Sequence, residues 1–346
     1  MSNFRFFRRV LNPVMTYWRI FLLFGLSVFS IITQAQAPDS EPFNVRNMNP
    51  YILLHGLPVA TSARTLKQGE SSFGLYLSVA NSAIDNQADG EWVILDGETY
   101  QATLDWKEGI GSGWQLGIEV PYISHRSGGL DNLIESWHDL FGFSNSERDD
   151  LQQNKIRYWY RDGDAIEVNI DKNMSGFGDL QFQLSRAVPL DDKQLQASLH
   201  VSLKLPTGDE ETLLGSGAPD LAFWLSGSDR QLLEGWPVGG YAQMGILVMG
   251  MGKVFSEQQR RFALFGTLGT SWLAKDWLQI KFQLDSHTPL YNSRLDQLGS
   301  AILFTLGGSI LMDGGHSQVD LSIGENLTID SVPDFTLNLG YRVFFH

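Results

Sequence analysis

The 346-residue chain has no cysteine. That absence excludes a disulfide scaffold, a thiolate metal site and a cysteine nucleophile together. Charge is scarce as well: Asp, Glu, Lys and Arg make up 18% of the residues, against roughly 25% in soluble domains. Positive charge is scarcer still, with 25 basic against 39 acidic residues and a net charge of −14. Nucleic-acid binding driven by phosphate attraction needs a basic footprint that this chain lacks. Beyond the N-terminus no apolar run approaches the length of a membrane-spanning helix. What the chain does have is 43% hydrophobic residues, 35 glycines and 12% aromatics, on a length ample for a sizeable core.

The first 37 residues differ from the rest. Arg5, Arg8, Arg9 and Arg19 precede a short apolar stretch, Ile20 to Ile32, which ends in Ala35-Gln36-Ala37. A basic start, an apolar core and a small-x-small end make a secretory signal peptide, cleaved after Ala35 or Ala37. An uncleaved anchor is the alternative. Removing those four arginines takes the charge from −14 to −18.

Downstream, apolar and polar residues alternate with period two, the mark of half-buried strands. Tyr100, Ala102, Leu104 and Trp106 alternate with Gln101, Thr103 and Asp105; Leu195 to Leu205 and Leu278 to Asp285 behave alike. Similar runs near 73–80, 114–122, 178–187, 219–226, 238–249, 261–272, 300–310, 317–324 and 335–345 bring the expected total to 12 strands. Most are near the ~9–11 residues that cross a tilted bilayer span.

The connections alternate too. Short turns follow strands 2, 4, 8 and 10, as in Lys107-Glu-Gly-Ile-Gly-Ser-Gly113, Pro189-Leu-Asp-Asp192 and Asp313-Gly-Gly315. Links 81–98, 123–177, 206–218, 250–260, 286–299 and 325–334 are longer. An even strand number with short turns at one end and long loops at the other predicts an all-β, single, up-and-down antiparallel transmembrane barrel of the outer-membrane kind. Trp106, Trp114, Trp236, Trp272 and Trp277 gather at the short-turn end, where amphipathic rings suit a membrane boundary. A soluble periplasmic β-sandwich also alternates, but its outer face would carry charge rather than Gln, Ser and Thr. The final strand alternates Phe335, Leu337, Leu339, Tyr341, Val343 and Phe345. It resembles the terminal signature read by the barrel-assembly machinery, with the aromatic penultimate before His346.

These boundaries divide the chain into a signal peptide (1–37), a periplasmic lead-in or short plug (38–69) and a barrel (70–346). Link 123–177 is expected to be a long extracellular loop containing an amphipathic helix, with Leu130, Leu133, Ile134, Trp137, Leu140 and Phe141 on one face. That helix either folds over the barrel mouth or packs on a hairpin formed by 156–160 and 166–170.

Candidate chemistry is thin. His125 and Ser127, two apart, match the spacing at which a histidine activates a hydroxyl in outer-membrane lipid hydrolases. Their register points to the lumen rather than lipid, and Gly128-Gly129 replaces the expected asparagine. The seven histidines show no metal-ligand spacing. Glu147, Asp149, Asp150 and Asp209 to Glu211 read as a solvated loop face. No cofactor is expected. The lumen is the remaining site: Asp105, Glu119, His200, Lys204, Lys281, Asp285 and Asp320 should project inward, lining an aqueous path or closing it with salt bridges. Outer-membrane lipid, lipopolysaccharide and the assembly machinery are the expected partners, with no nucleic acid; the oligomeric state stays open.

At Asn49-Pro50, His55-Gly-Leu-Pro58, Leu95-Asp-Gly-Glu-Thr-Tyr100, Glu135-Ser-Trp-His-Asp-Leu-Phe-Gly142 and Leu203-Lys-Leu-Pro-Thr-Gly-Asp209, the chain resembles a family of Gram-negative proteins. That family is catalogued as a domain of unknown function, and the resemblance implies an outer-membrane barrel. Gly178-Asp-Leu180, Leu205-Pro-Thr-Gly-Asp209 and Gly217-Ala-Pro-Asp220 are similar to phenol-degradation (MetA-pathway) barrels, which implies passage of hydrophobic compounds. The sequence therefore points to a passive channel or transporter for small solutes. The alternative is a non-conducting envelope-maintenance barrel, followed by a lipid hydrolase.

Overall fold

The computed structural model describes residues 41–128, 156–327, 333 and 335–346. The signal segment 1–37 and the expected loop helix, Leu130 to Phe141, lie outside the described residues. Fifteen strands form one sheet. They are β1 (Ser71–Ala88), β2 (Glu91–Gly111), β3 (Trp114–Arg126), β4 (Arg157–Asp162), β5 (Ala165–Ile170), β6 (Met174–Phe177), β7 (Leu180–Val188) and β8 (Leu195–Leu205). Then come β9 (Asp220–Asp229), β10 (Val238–Met249), β11 (Phe262–Lys275), β12 (Leu278–His287), β13 (Ala301–Met312), β14 (Ser317–Asn326) and β15 (Phe335–Phe345).

Twelve of these close a barrel. Neighbours in sequence pair antiparallel around the ring, β3 pairs with β7, and β15 pairs with β1 from Ser71↔Phe345 to Asn81↔Phe335. Closure leaves no unpaired edge within the belt. The β4–β5 hairpin instead continues the sheet outward from the upper half of β2, pairing Glu91↔Asp162 to Asp96↔Arg157. Strand β6 does the same for the end of β3.

The alternation has a direct physical meaning. Leu104, Leu116, Leu199, Leu225, Leu268, Phe282 and Leu339 are exposed on the outside, while Gln101, Thr103, Ser185, Ser202, Gln279, Thr305 and Ser322 are buried within. Apolar groups face outward because the solvent there is hydrocarbon, and the backbone bonds are all satisfied between strands. Exposed Trp106, Trp114, Trp236 and Trp277 ring the short-turn end, and Arg186 lies 5.0 Å from the Trp114 ring centre. Two inward tyrosines lie flat over glycine. A Cβ on Gly269 would meet the Tyr241 ring at 2.2 Å, and one on Gly74 the Tyr76 ring at 2.6 Å. Only glycine leaves room for those rings against the wall.

One expected loop is sheet instead. Link 81–98 forms the upper halves of β1 and β2, which pair as far as Ala88↔Glu91. The two-residue turn Asp89-Gly90 has φ of 49° and 95°, the left-handed pair that favours Asp-Gly in hairpins. Link 123–177 likewise contributes strand at both ends.

Candidate functional site

Residues 41–66 run inside the barrel, and their main chain bonds to inward side chains of the wall. The Phe43 amide donates to Gln283 Oε1 at 2.9 Å, the Thr61 amide to Gln243 Oε1 at 3.0 Å and the Leu66 amide to Gln115 Oε1 at 2.9 Å. Ser198 Oγ donates to the Ala63 carbonyl at 2.7 Å. Such an irregular segment has no ladder to satisfy it, so the Gln and Ser of the wall supply its partners. The segment rises from the short-turn end, where Glu41 accepts from Arg342 at 2.5 Å. It reaches the long-loop end, where Asn49 Nδ2 donates to the Gln297 carbonyl at 2.9 Å, and descends to β1. Three cavities between segment and wall hold about 20 to 30 Å³ each, room for a water or two.

The interior has two layers. Near the short turns it is polar. Lys281 lies 3.5 Å from Asp320, which also accepts from Gln318 at 3.1 Å and from Ser309. Arg342 Nε donates to the Tyr76 hydroxyl at 2.8 Å, and Arg46 pairs with Glu119 at 2.5 Å. Near the long loops it is apolar. Tyr51, Ile52 and Leu54, at the tip of the inner segment, are buried among Val93, Leu95, Tyr158, Tyr160, Phe255 and Leu290. The Tyr51 and Phe255 rings meet edge to face at 4.8 Å.

A buried ionic knot joins the layers. Lys204 Nζ donates to Asp179 Oδ2 at 2.6 Å, to Ser216 Oγ at 2.6 Å and to the Leu54 carbonyl of the segment at 2.8 Å, with Asp220 at 3.4 Å. Asp220 also accepts from the Gly56 amide at 2.9 Å, and His55 hydrogen-bonds the Tyr291 hydroxyl at 2.8 Å. Tyr291 in turn donates to the Tyr51 carbonyl at 2.9 Å. Both carboxylates are thus matched by a cation or several donors, which an ion buried this deeply requires.

Each expected lumen residue has a defined place. Glu119, Lys204, Lys281 and Asp320 stand in the pairs above. Asp105 pairs with Lys107 at 3.2 Å. Asp285 accepts from Thr267 at 2.6 Å and Gln283 at 2.8 Å. His200 lies between Ser185 and Ser226 and stacks on Trp224 at 5.0 Å. Of the seven, Lys281 and Asp320 form an ion pair, and Asp105 lies opposite Glu119 across β2 and β3. Sequence reasoning missed Glu41, Arg46, His55, Asp179, Asp220, Tyr291 and Arg342. Asp179 and Asp220 do stand in the quoted Gly-Asp-Leu and Gly-Ala-Pro-Asp stretches, and Gly208 of the Pro-Thr-Gly-Asp turn donates to Asp179 at 2.8 Å.

His125 and Ser127 are not brought together. The histidine is buried between Thr99 Oγ1 at 3.0 Å and the Leu213 carbonyl at 3.2 Å, whereas the Ser127 amide bonds Asn173. With both ring nitrogens bonded to other groups, His125 is not paired with the Ser127 hydroxyl among the described residues. Among the described residues no three His, Asp or Glu converge as a metal set.

Outside the belt, Lys253 pairs with Glu210 across two of the long loops and holds that carboxyl below its usual range.

A family model described as protein of unknown function (DUF3187) matches residues 20–345. Among curated proteins nothing matches. Among solved structures, the COG4313 outer membrane channel from Pseudomonas putida F1 is 13% identical, with a TM-score of 0.54 over 82% of this chain and 98% of that one. KdgM porin is 10% identical (TM-score 0.43, 80% and 99% covered), and the CymD monoaromatic hydrocarbon channel 9% (0.40, 90% and 95%). The first of these places the fold among outer-membrane barrels.

Proposed function

The chain belongs to the DUF3187 family of proteins of unknown function, and we propose that it is a passive outer-membrane channel for small solutes, held shut by its own N-terminal segment. The observation that carries this reading is the chemistry of the lower wall. Its Gln and Ser side chains bond the inner segment, and water can replace each bond at little net cost. With the segment displaced, that wall is an aqueous path lined by opposite charges. The apolar upper layer accommodates the Tyr51-Ile52-Leu54 tip, a site whose chemistry suits an apolar or aromatic solute. The protein acts without enzymatic chemistry in this reading, with residues 1–37 removed on export and the barrel delivered to a Gram-negative outer membrane.

Planar-bilayer recording tests the proposal. The mature barrel should show rare openings, and deletion of residues 42–66 should give steady conductance. A folded, heat-modifiable deletion variant without conductance would overturn the channel. It would favour the non-conducting envelope barrel, a reading supported by the small cavities left beside the segment.

A further inference from the structure

The sheet does not stop at the membrane. From Trp106 in the lower girdle to Trp92 near the tip, β2 rises through about fourteen residues. That is roughly 45 Å along the strand, or roughly 35 Å along the axis at a typical tilt, beyond an apolar band of ~25 Å. Arg157 lies opposite Asp96, nearer the rim, and Arg161 opposite Trp92, higher up. Alternation puts Tyr158 and Tyr160 inside, fully buried, and therefore Arg157, Trp159 and Arg161 on the outer side, where Arg157 is exposed and Trp159 is itself covered to 8% exposure.

On this outer face two tryptophans and two arginines interleave. The Trp92 and Trp159 rings meet edge to face at 4.9 Å. The Arg161 guanidinium lies 5.5 Å from the Trp92 ring centre and 5.8 Å from that of Trp159, and Arg157 lies 5.8 Å from Trp159. Asp85 accepts from Trp92 Nε1 at 2.7 Å, which fixes the indole. Among the described residues neither arginine has a carboxylate within ion-pair distance, and the Arg161 Nε is sealed from water with no acceptor. In a chain of net charge −14, two cations held on aromatic rings just above the lipid belt are preorganised for an anion. The partly exposed Trp92 beside them offers an aromatic face to a sugar ring, and guanidinium groups take phosphate in a fork.

We propose that this strip binds the phosphorylated inner saccharide of the outer-leaflet glycolipid, lipopolysaccharide, with Arg157 and Arg161 on its phosphates and Trp92, backed by the buried Trp159, against its sugars. The reading is independent of conductance, so either can fail alone.

The test uses the full mature chain in detergent micelles, titrated with lipopolysaccharide truncated to its phosphorylated inner core and read by native mass spectrometry. The Arg157→Gln/Arg161→Gln variant should bind at least about tenfold more weakly, as expected when charged hydrogen bonds are lost. The Arg157→Lys/Arg161→Lys variant should retain part of the affinity. Removing the phosphates from the glycolipid should weaken binding to the wild-type chain equally, an arm that needs no variant to fold. Undiminished binding by a folded glutamine variant, or by dephosphorylated glycolipid, would overturn the assignment. Equal binding of the free, delipidated core oligosaccharide would replace the glycolipid with a soluble anionic sugar.

Discussion

The lower and upper halves of the barrel interior hold the same N-terminal segment by different physics. Below, the segment meets Gln283, Gln243, Gln115 and Ser198 through uncharged hydrogen bonds, two each from Gln283 and Gln243, each bond worth about 0.5–1.5 kcal/mol net because water competes for the same groups. Above, Tyr51, Ile52 and Leu54 are removed from water altogether, at roughly 1.5–3 kcal/mol per side chain of that kind. The difference divides labour along one segment. Its stem is exchangeable with water and its tip is an apolar anchor, with the Lys204 knot as the boundary.

Breaking that knot should have the largest effect. Lys204→Met keeps length and apolar stem but leaves Asp179 and Asp220 buried without their cation. A loss of about 3–5 kcal/mol is expected, read as a lower urea midpoint in micelles. Lys281→Met should cost clearly less, since Asp320 keeps Gln318 and Ser309 as donors. Equal losses would erase the distinction between knot and stem.

Tyr291→Phe comes next. It retains the ring in the upper core but removes the hydroxyl that links His55 to the Tyr51 carbonyl. About 1–3 kcal/mol should be lost, with more frequent openings in bilayer recordings if the tip is the anchor.

The smallest effect belongs to the exposed loops. Glu210 titrates lower in the folded chain than unfolded because Lys253 favours its charge. Its contribution is therefore present above the ordinary carboxylate range and lost as pH falls through the lowered folded value. Glu210→Gln should leave the unfolding midpoint at neutral pH unchanged within error, since exposed pairs contribute little. It should also flatten the acid limb of the pH profile slightly.

The strand β2 explains what was legible in the sequence and what was not. From Thr99 to Trp106 inward residues are polar and outward ones apolar, and that stretch was readable as a strand. Above Gly97 the polarity inverts: Val93 and Leu95 point inward, Trp92 and Asp96 outward. The same change occurs within β10, from Gln243 to Leu247, and within β11, from Thr267 to Phe265. Where the pattern inverts, period-two alternation loses phase, so 81–98 resembled a loop. The inner segment carried no periodic signal that could decide between a lead-in and a plug, because Asn47, Asn49 and Thr61 take their partners from distant strands rather than from a repeat.

Local alternation against two solvents is enough to set the barrel: strand number, which face meets lipid, and which polar side chains turn inward. That the lumen is filled, and by what, depends on contacts made after the ring has closed. Glu41 meets Arg342, and Leu54 meets Lys204, across separations of 301 and 150 residues. Contacts between groups so far apart in the chain leave no periodic trace, since each depends on closure of the ring around the segment.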